Sequence, residues 1–229
     1  MTIQTIEKGR IGELQTRRAL KLLLDESQYH IINNLLISSG IRTTQIDHIV
    51  ISRYGIFVVE TKYTNFWIYG GPNEEQWTEV FYKKKNRFPN PLRQNFAHTR
   101  ALAEFLKIDD DKIFSLVVFW GDCQFETNIP SNVVKGIRMV DYIKSKKQIL
   151  FPDDKVENIY NDLVTLILNT PISSMLRHID SVKKRYESNT VCPKCGGLLR
   201  ERTAHTGKVV GHVFLGCANY PHCRYTKEL

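Results

Sequence analysis

The feature that most constrains this chain is a set of four cysteines near its end: Cys192, Cys195, Cys217 and Cys223. In Cys192-Pro-Lys-Cys195-Gly-Gly two thiols stand three residues apart, so both can reach one ion, and the glycines let the chain turn back beneath them. Residues 198–202 and 209–215 read as two strands turned at Thr206-Gly207-Lys208, which carries Cys217 and Cys223 back to the first pair. A module this short buries too little apolar surface to fold unaided, so one structural Zn²⁺ held by four thiolates is the expected source of its stability. His205, His212 and His222 are alternative ligands, but the all-cysteine set uses every clustered thiol. The clustering fits metal binding in a reducing compartment better than a disulfide framework, and Cys123, standing apart, reads as a small buried hydrophobe.

With 229 residues the chain has room for a domain with a sizeable core beside this module. Its opening is polar, and no run approaches the roughly 18 apolar residues that a membrane span needs. A cytoplasmic protein without a membrane partner is expected. The formal net charge is +8 and the pI about 9.2. Zinc bound by four thiolates would offset about 2 of those charges, and the remainder still suits a polyanionic partner.

Residues 8–25 have the composition of a helix, with Ile11, Leu14, Ala19, Leu20, Leu22, Leu23 and Leu24 in a broad apolar arc. Residues 30–37, 45–52 and 56–62 read as strands, the last two forming a hairpin through Arg53-Tyr54-Gly55. A strand at 77–82, a helix at 91–106 opening on a proline, and a buried strand over the apolar run 113–120 follow. Helical patterns at 153–169 and 171–186 read as an arm ending in Lys183, Lys184 and Arg185. The expected organisation is a mixed α/β domain over residues 1–150, a helical arm over 151–187 and a zinc ribbon over 188–229.

The hairpin carries a second constellation. Side chains alternate along a strand, so Glu60 and Lys62 share a face, and the return across the turn brings Asp47 toward them. Carboxylates gathered among apolar strand residues repel one another and lose solvation, a difficulty that a divalent cation removes. Oxygens of Asp47, Glu60 and a neighbouring backbone carbonyl suit Mg²⁺ (or Mn²⁺), and Lys62 is placed to hold a metal-activated water against a phosphodiester. Glu13 lies at the edge of the first helix's apolar arc, either as a third acid of this group or as a helix-edge residue reaching solvent.

Gly9-Arg-Ile-Gly-Glu13, the Asp47 strand, Tyr54-Gly-Ile-Phe-Val-Val-Glu60-Thr-Lys62, Gln76-Trp77 and Asn90-Pro91-Leu-Arg-Gln94 together resemble the nuclease-related domain (NERD) of the PD-(D/E)XK nuclease superfamily. The resemblance covers about the first 110 residues. It implies a restriction-endonuclease-like mixed sheet flanked by helices, with Glu13, Asp47, Glu60 and Lys62 at active-site positions and Gln94 on a supporting helix. Ile46 stands where many members have proline. His98 follows Gln94 by four residues, where some relatives carry Tyr or Gln, and by itself reads as structural or surface rather than catalytic. Trp67 and Trp77 read as core residues rather than as base-stacking ones.

Cys192-Pro-Lys-Cys195-Gly-Gly-Leu-Leu and Phe214-Leu-Gly-Cys217-Ala-Asn-Tyr-Pro-His-Cys223-Arg-Tyr-Thr are similar to the C-terminal zinc ribbons of bacterial type IA DNA topoisomerases. That resemblance implies contact with single-stranded or distorted DNA, with Phe214, Tyr220, Arg224, Tyr225 and Lys227 as candidates. Packing in the ribbon's own core is the competing role for the aromatics. The expected function is a Mg²⁺-dependent DNA endo- or exonuclease in processing, repair or defence; the alternative is a non-cleaving DNA-binding adaptor on a nuclease fold, and RNA stays open as a partner.

Overall fold

The computed structural model describes residues 3–39, 42–82, 84–171, 188–190, 192, 197–204, 210–221, 223 and 225–228. It divides into two units, Met1–Asn169 and Thr170–Leu229. In the first, helix α1 (Ile3–Leu23) precedes an antiparallel meander of β1 (His30–Ser39), β2 (Arg42–Ser52) and β3 (Gly55–Tyr63). Three strands, β4 (Trp67–Tyr69), β5 (Gln76–Phe81) and β6 (Lys84–Pro89), then leave the main sheet. Helix α2 (Pro91–Leu106) brings the chain back, so that β7 (Ile113–Trp120) lies parallel to β3. After β8 (Gln124–Phe125), β9 (Val133–Lys135) pairs in parallel with β7. The main sheet runs β1-β2-β3-β7-β9 and a smaller one β6-β5-β4-β8, with helices α3 (Arg138–Ser145) and α4 (Asp153–Asn169) completing the unit. This is the mixed α/β architecture read from the sequence.

Both faces of the main sheet are covered, which is why β3 is buried from Gly55 to Thr61 and is continuously apolar over Ile56–Val59 rather than alternating. Phe57 and Val59 pack with Leu20 of α1 and Met139 and Ile143 of α3. Val58 and Ile56 pack on the other face with Leu102 of α2 and Ile159 and Leu163 of α4. The β2–β3 turn needs Gly55, whose φ is 125° and where a Cβ would come within 2.6 Å of the Phe114 ring.

Helix α1 buries a narrower stripe than its apolar residues imply. Gly12, Thr16, Leu20 and Leu24, four residues apart, face the sheet, whereas Ile11, Leu14, Leu22 and Leu23 are exposed. The stripe is hard to see in the sequence because half of it is not hydrophobic. A Cβ on Gly12 would sit 3.1 Å from Thr61 Cγ2, and Thr16 Oγ1 shares a 3.1 Å hydrogen bond with Thr61 Oγ1 while accepting one of 2.7 Å from Trp120 Nε1.

The buried Asn90 caps α2 by accepting the Leu92 N–H at 2.9 Å and also donates to Glu74 O at 2.6 Å. One turn on, the buried Asn95 donates Nδ2 to Val58 O at 2.9 Å and Leu116 O at 3.1 Å, tying α2 to β3 and β7. Helix α4 is no free arm. Val156, Ile159 and Leu163 are buried in the core beneath β1 and β2, which extends the first unit past residue 150 to Asn169. The helical pattern expected at 171–186 lies, beyond Pro171, outside the described residues. None of the described helices is long and apolar enough to cross a membrane.

Trp77 is fully buried, stacked on Phe119 with centroids 6.0 Å apart, as a core residue should be. Trp67 is not: it is 45 % exposed, because it and Tyr69 point away from the face of β4 that buries Ile68. The shorter strands β4, β6, β8 and β9 escaped the sequence reading, β6 being almost wholly polar.

The second unit is an antiparallel sheet of β10 (Leu199–Thr203), β11 (Val213–Cys217) and β12 (Thr226–Glu228). Leu199 and Leu215 pack with Cys192, Cys217 and Cys223 in its small core.

Truncation of the buried indole, Trp77→Ala, is expected to destabilise the first unit by about 3–5 kcal/mol, read as a lower denaturant midpoint; Trp67→Ala should leave the unfolding free energy within about 0.5 kcal/mol of wild type.

Candidate active site and metal centre

Pairing of β2 with β3 starts at Ser52↔Gly55 and stops at His48↔Val59, although β2 continues alongside β1 and β3 alongside β7. The two strands part there, and Asp47 faces Glu60 across the opening. The Thr61 N–H, left without a ladder partner on β2, is taken by Asp47 Oδ2 at 2.9 Å. A side chain thus completes the backbone hydrogen bonding where the hairpin splits.

Glu60 is 3 % exposed and engaged through both oxygens. Lys62 Nζ donates to Oε1 at 2.5 Å, and His98 Nε2 stands 3.3 Å from Oε2, an ion-pair distance without hydrogen-bond alignment. Lys62 also donates to Gln94 Oε1 at 3.0 Å. Gln94 and His98 are four residues apart on α2 and so share a face. His98 is oriented in turn by Thr44 Oγ1, 2.8 Å from Nδ1. The hairpin, α2 and the start of β2 therefore meet at one point. His98, which by itself reads from sequence as structural or surface, stands against the central carboxylate; only its spacing from Gln94 signalled it.

Glu13 comes from α1, next to the Gly12 that lets the helix approach Thr61 and Tyr63. It shares an open cleft of about 570 Å³ with Arg10, Arg17, Asn34 and His48. Burial, and then the Glu60 charge, raise its carboxyl above the usual range. The same causes act more strongly on Asp47, raised well above it despite the Thr61 N–H. For Glu60 burial also works against ionisation, but the Lys62 ammonium and the His98 ring outweigh it and hold the carboxyl down at about 2. His48, on the other face of β2, is lowered to about 4 by burial and by Arg17. The three acids thus repel one another around a single ammonium. All-oxygen donors with unbalanced negative charge fit a hard divalent cation, with Asp47 and Glu60 as the residues able to hold it.

In the second unit the sulfurs of Cys192, Cys217 and Cys223 lie within 4.8 Å of one another, and those of Cys192 and Cys223 are 3.8 Å apart. Tetrahedral Zn–S bonds of about 2.3 Å place sulfurs about 3.8 Å from each other, so the cluster fits zinc. Cys195, the expected fourth ligand, lies outside the described residues, as do His205, His222 and Arg224; His212 is exposed and outside the cluster. Phe214, Tyr220 and Tyr225 border one cleft of about 590 Å³. Arg202, not anticipated from sequence, lines it too, with its guanidinium 5.7 Å from the Tyr220 ring centre. Gly216 leaves room for it, since a Cβ there would meet Arg202 Cδ at 2.7 Å. Lys227 Nζ is bound within the unit, to Asn189 Oδ1 at 2.7 Å.

The family model of the nuclease-related domain matches residues 8–120. An uncharacterized protein of Bacillus anthracis is 34 % identical over 162 residues, which span 69 % of this chain and 76 % of that protein. The chain belongs to the NERD family. A second model, the topoisomerase DNA binding C4 zinc finger, matches residues 189–229. No solved structure matches. The NERD match spans the acids on α1, β2 and β3 and also α2, so Glu13, Asp47, Glu60, Lys62, Gln94 and His98 all fall within it.

Because Asp47 is raised in the folded state, its ionised form is disfavoured there above the unfolded pKa near 3.8. Asp47→Asn, which keeps an acceptor for Thr61, is therefore expected to stabilise the metal-free site by about 0.5–2 kcal/mol at neutral pH. The gain should vanish below the unfolded pKa, where Asp47 is protonated in both states; thermal unfolding from pH 3 to 8 checks this. Glu60 has the opposite sign: its contribution is present above about 4.5 and is lost as pH falls toward about 2.

Proposed function

We propose that this NERD protein is a Mg²⁺- or Mn²⁺-dependent deoxyribonuclease. The observation that carries the reading is the junction at which β2 leaves β3, where Asp47, Glu60 and Lys62 meet with Glu13 beside them. Asp47 and Glu60 would hold the ion, Asp47 fixed by the Thr61 N–H and Glu60 by Lys62 and His98. When bound, the ion would polarise the scissile phosphate and supply a water of lowered pKa. Lys62, steadied by Gln94, would orient that water and share charge on the phosphate, and Glu13 is the candidate to receive its proton.

The ribbon supports DNA as the polymer. One structural Zn²⁺ on Cys192, Cys195, Cys217 and Cys223 would hold the cleft of Phe214, Tyr220 and Tyr225 for stacking, with Arg202, Arg224 and Lys227 supplying positive charge. Single-stranded or distorted DNA fits such a surface, and a reducing cytoplasm would keep its thiols available. Processing, repair and defence are the settings this chemistry serves.

One observation favours a second reading, a DNA-binding adaptor that does not cut: Lys62 and His98 already engage both oxygens of Glu60. Cleavage of single-stranded, nicked and duplex DNA with Mg²⁺, Mn²⁺ or neither separates the two. The nuclease is expected to cut only with metal, and Asp47→Ala and Glu60→Ala to lose about 10²-fold or more of the rate while still binding DNA. Equal cleavage by wild type and both variants would sink the nuclease assignment, and salt-sensitive binding without cleavage under either metal would establish the adaptor. Cys192→Ser is expected to weaken DNA binding and release zinc while the first unit keeps its unfolding transition.

A further inference from the structure

The smaller sheet carries a feature that neither the acid cluster nor the ribbon uses. Its strand register places Trp67 opposite Val80 and Val80 opposite Lys85, and in the next row of the same face Tyr69 opposite Thr78 and Thr78 opposite Arg87. Each row therefore runs from an aromatic on β4, across a shorter side chain on β5, to a cation on the edge strand β6. The opposite face is the buried one, holding Ile68 and Trp77. Trp67 and Tyr69 are 45 % and 40 % exposed, and Lys85 and Arg87 are exposed as well.

Two large aromatics on the open face of a sheet give up favourable burial, and solvation of a lone Tyr would not by itself explain both. Their spacing points to an occupant. Residues i and i+2 of a strand are about 6.7 Å apart, roughly twice the rise of about 3.4 Å per nucleotide in a duplex strand and so the order of one step in an extended, unstacked strand. Two strand spacings, about 10 Å, separate the aromatics from the cations, within reach of long side chains extending to the backbone of a base lying on Trp67 or Tyr69. The sheet is joined to the end of β3 just past Lys62, where Thr64 Oγ1 donates to Glu79 Oε2 of β5 at 3.0 Å.

We propose that this face is a single-stranded DNA platform: Trp67 and Tyr69 stack consecutive bases while Lys85 and Arg87 meet their phosphates. It rests on the reading of the chain as a DNA-handling protein but makes a claim about the first unit that does not depend on cleavage. The polyanion fits the cations on the edge strand and the overall +8 charge of the chain, and flat aromatic faces accept any base.

The test is the affinity of the full-length, zinc-loaded protein for fluorescent oligothymidylate without added Mg²⁺, over a range of salt. Trp67→Ala and Tyr69→Ala are each expected to weaken binding by about 5- to 150-fold, with Trp67→Phe recovering most of the loss. Lys85→Ala and Arg87→Ala should each reduce the salt slope by about 0.7. Unchanged far-ultraviolet dichroism and thermal unfolding would confirm that these exposed substitutions leave the fold intact. Wild-type affinity and slope in all four alanine variants would overturn the proposal. So would a wild-type dimer that Trp67→Ala dissociates without loss of DNA affinity, which would give the face to a second copy of the chain. Hydrolysis of bis(p-nitrophenyl) phosphate, too small to need the platform, reports on the acid cluster alone: its absence from the wild type counts against the nuclease reading and leaves the platform standing, and where the wild type hydrolyses it, Trp67→Ala is expected to do so equally while binding DNA more weakly.

Discussion

Where β2 separates from β3, a backbone N–H must find a new acceptor, and the Asp47 carboxylate provides it. This substitution of side chain for ladder fixes the geometry of the whole site. It pins Asp47 against Glu60, two residues from Lys62 on the same strand, at the end of a sheet buried on both faces. Gly12 then allows α1 to approach closely enough to add Glu13, and Asn95 holds α2 against β3 and β7 so that Gln94 and His98 reach Lys62 and Glu60. Removing the divergence would return Thr61 to the ladder and leave the acids without a common point.

The arrangement has an energetic cost that its surroundings offset. Burial and mutual repulsion push Asp47 and Glu13 toward their neutral forms, while Lys62 and His98 keep Glu60 charged. Neighbouring acids thus respond to one environment in opposite directions. The apolar contacts on either side of β3 carry the fold in spite of it. In the second unit the balance differs: among the described residues the buried cluster is three cysteines and two leucines with Tyr225 against them, and metal would supply what so little apolar area cannot.

Much of this could be read from the sequence because strand alternation and short loops leave few options. The hairpin through Gly55 and the residues Asp47, Glu60 and Lys62 follow from a period of two, and the helix spanning Pro91–Leu106 from its proline start and apolar repeat. What stayed hidden was packing that does not depend on hydrophobic residues. Gly12 and Thr16 form half of the buried stripe of α1, so periodicity alone pointed to Ile11 and Leu14, which are exposed. The role of α4 was hidden for a related reason: an amphipathic helix looks the same whether it packs on its own domain or on another body. Trp67 shows the converse, an aromatic whose exposure depends on the strand face it occupies. In the ribbon, the cysteine pattern announced the metal site, but Arg202 beside Tyr220 emerges only from the pairing of Arg202 with Phe214 across β10 and β11.

We infer that Asp47 and Glu60 together hold one divalent ion. Electron paramagnetic resonance of Mn²⁺ titrated into the zinc-loaded full-length protein tests it directly, because free and bound Mn²⁺ give distinct signals. One saturable Mn²⁺ site is expected in the wild type, displaced by excess Mg²⁺, and absent from Asp47→Ala and Glu60→Gln proteins that remain folded. Equal Mn²⁺ binding by the wild type and both variants would contradict a metal role for these carboxylates.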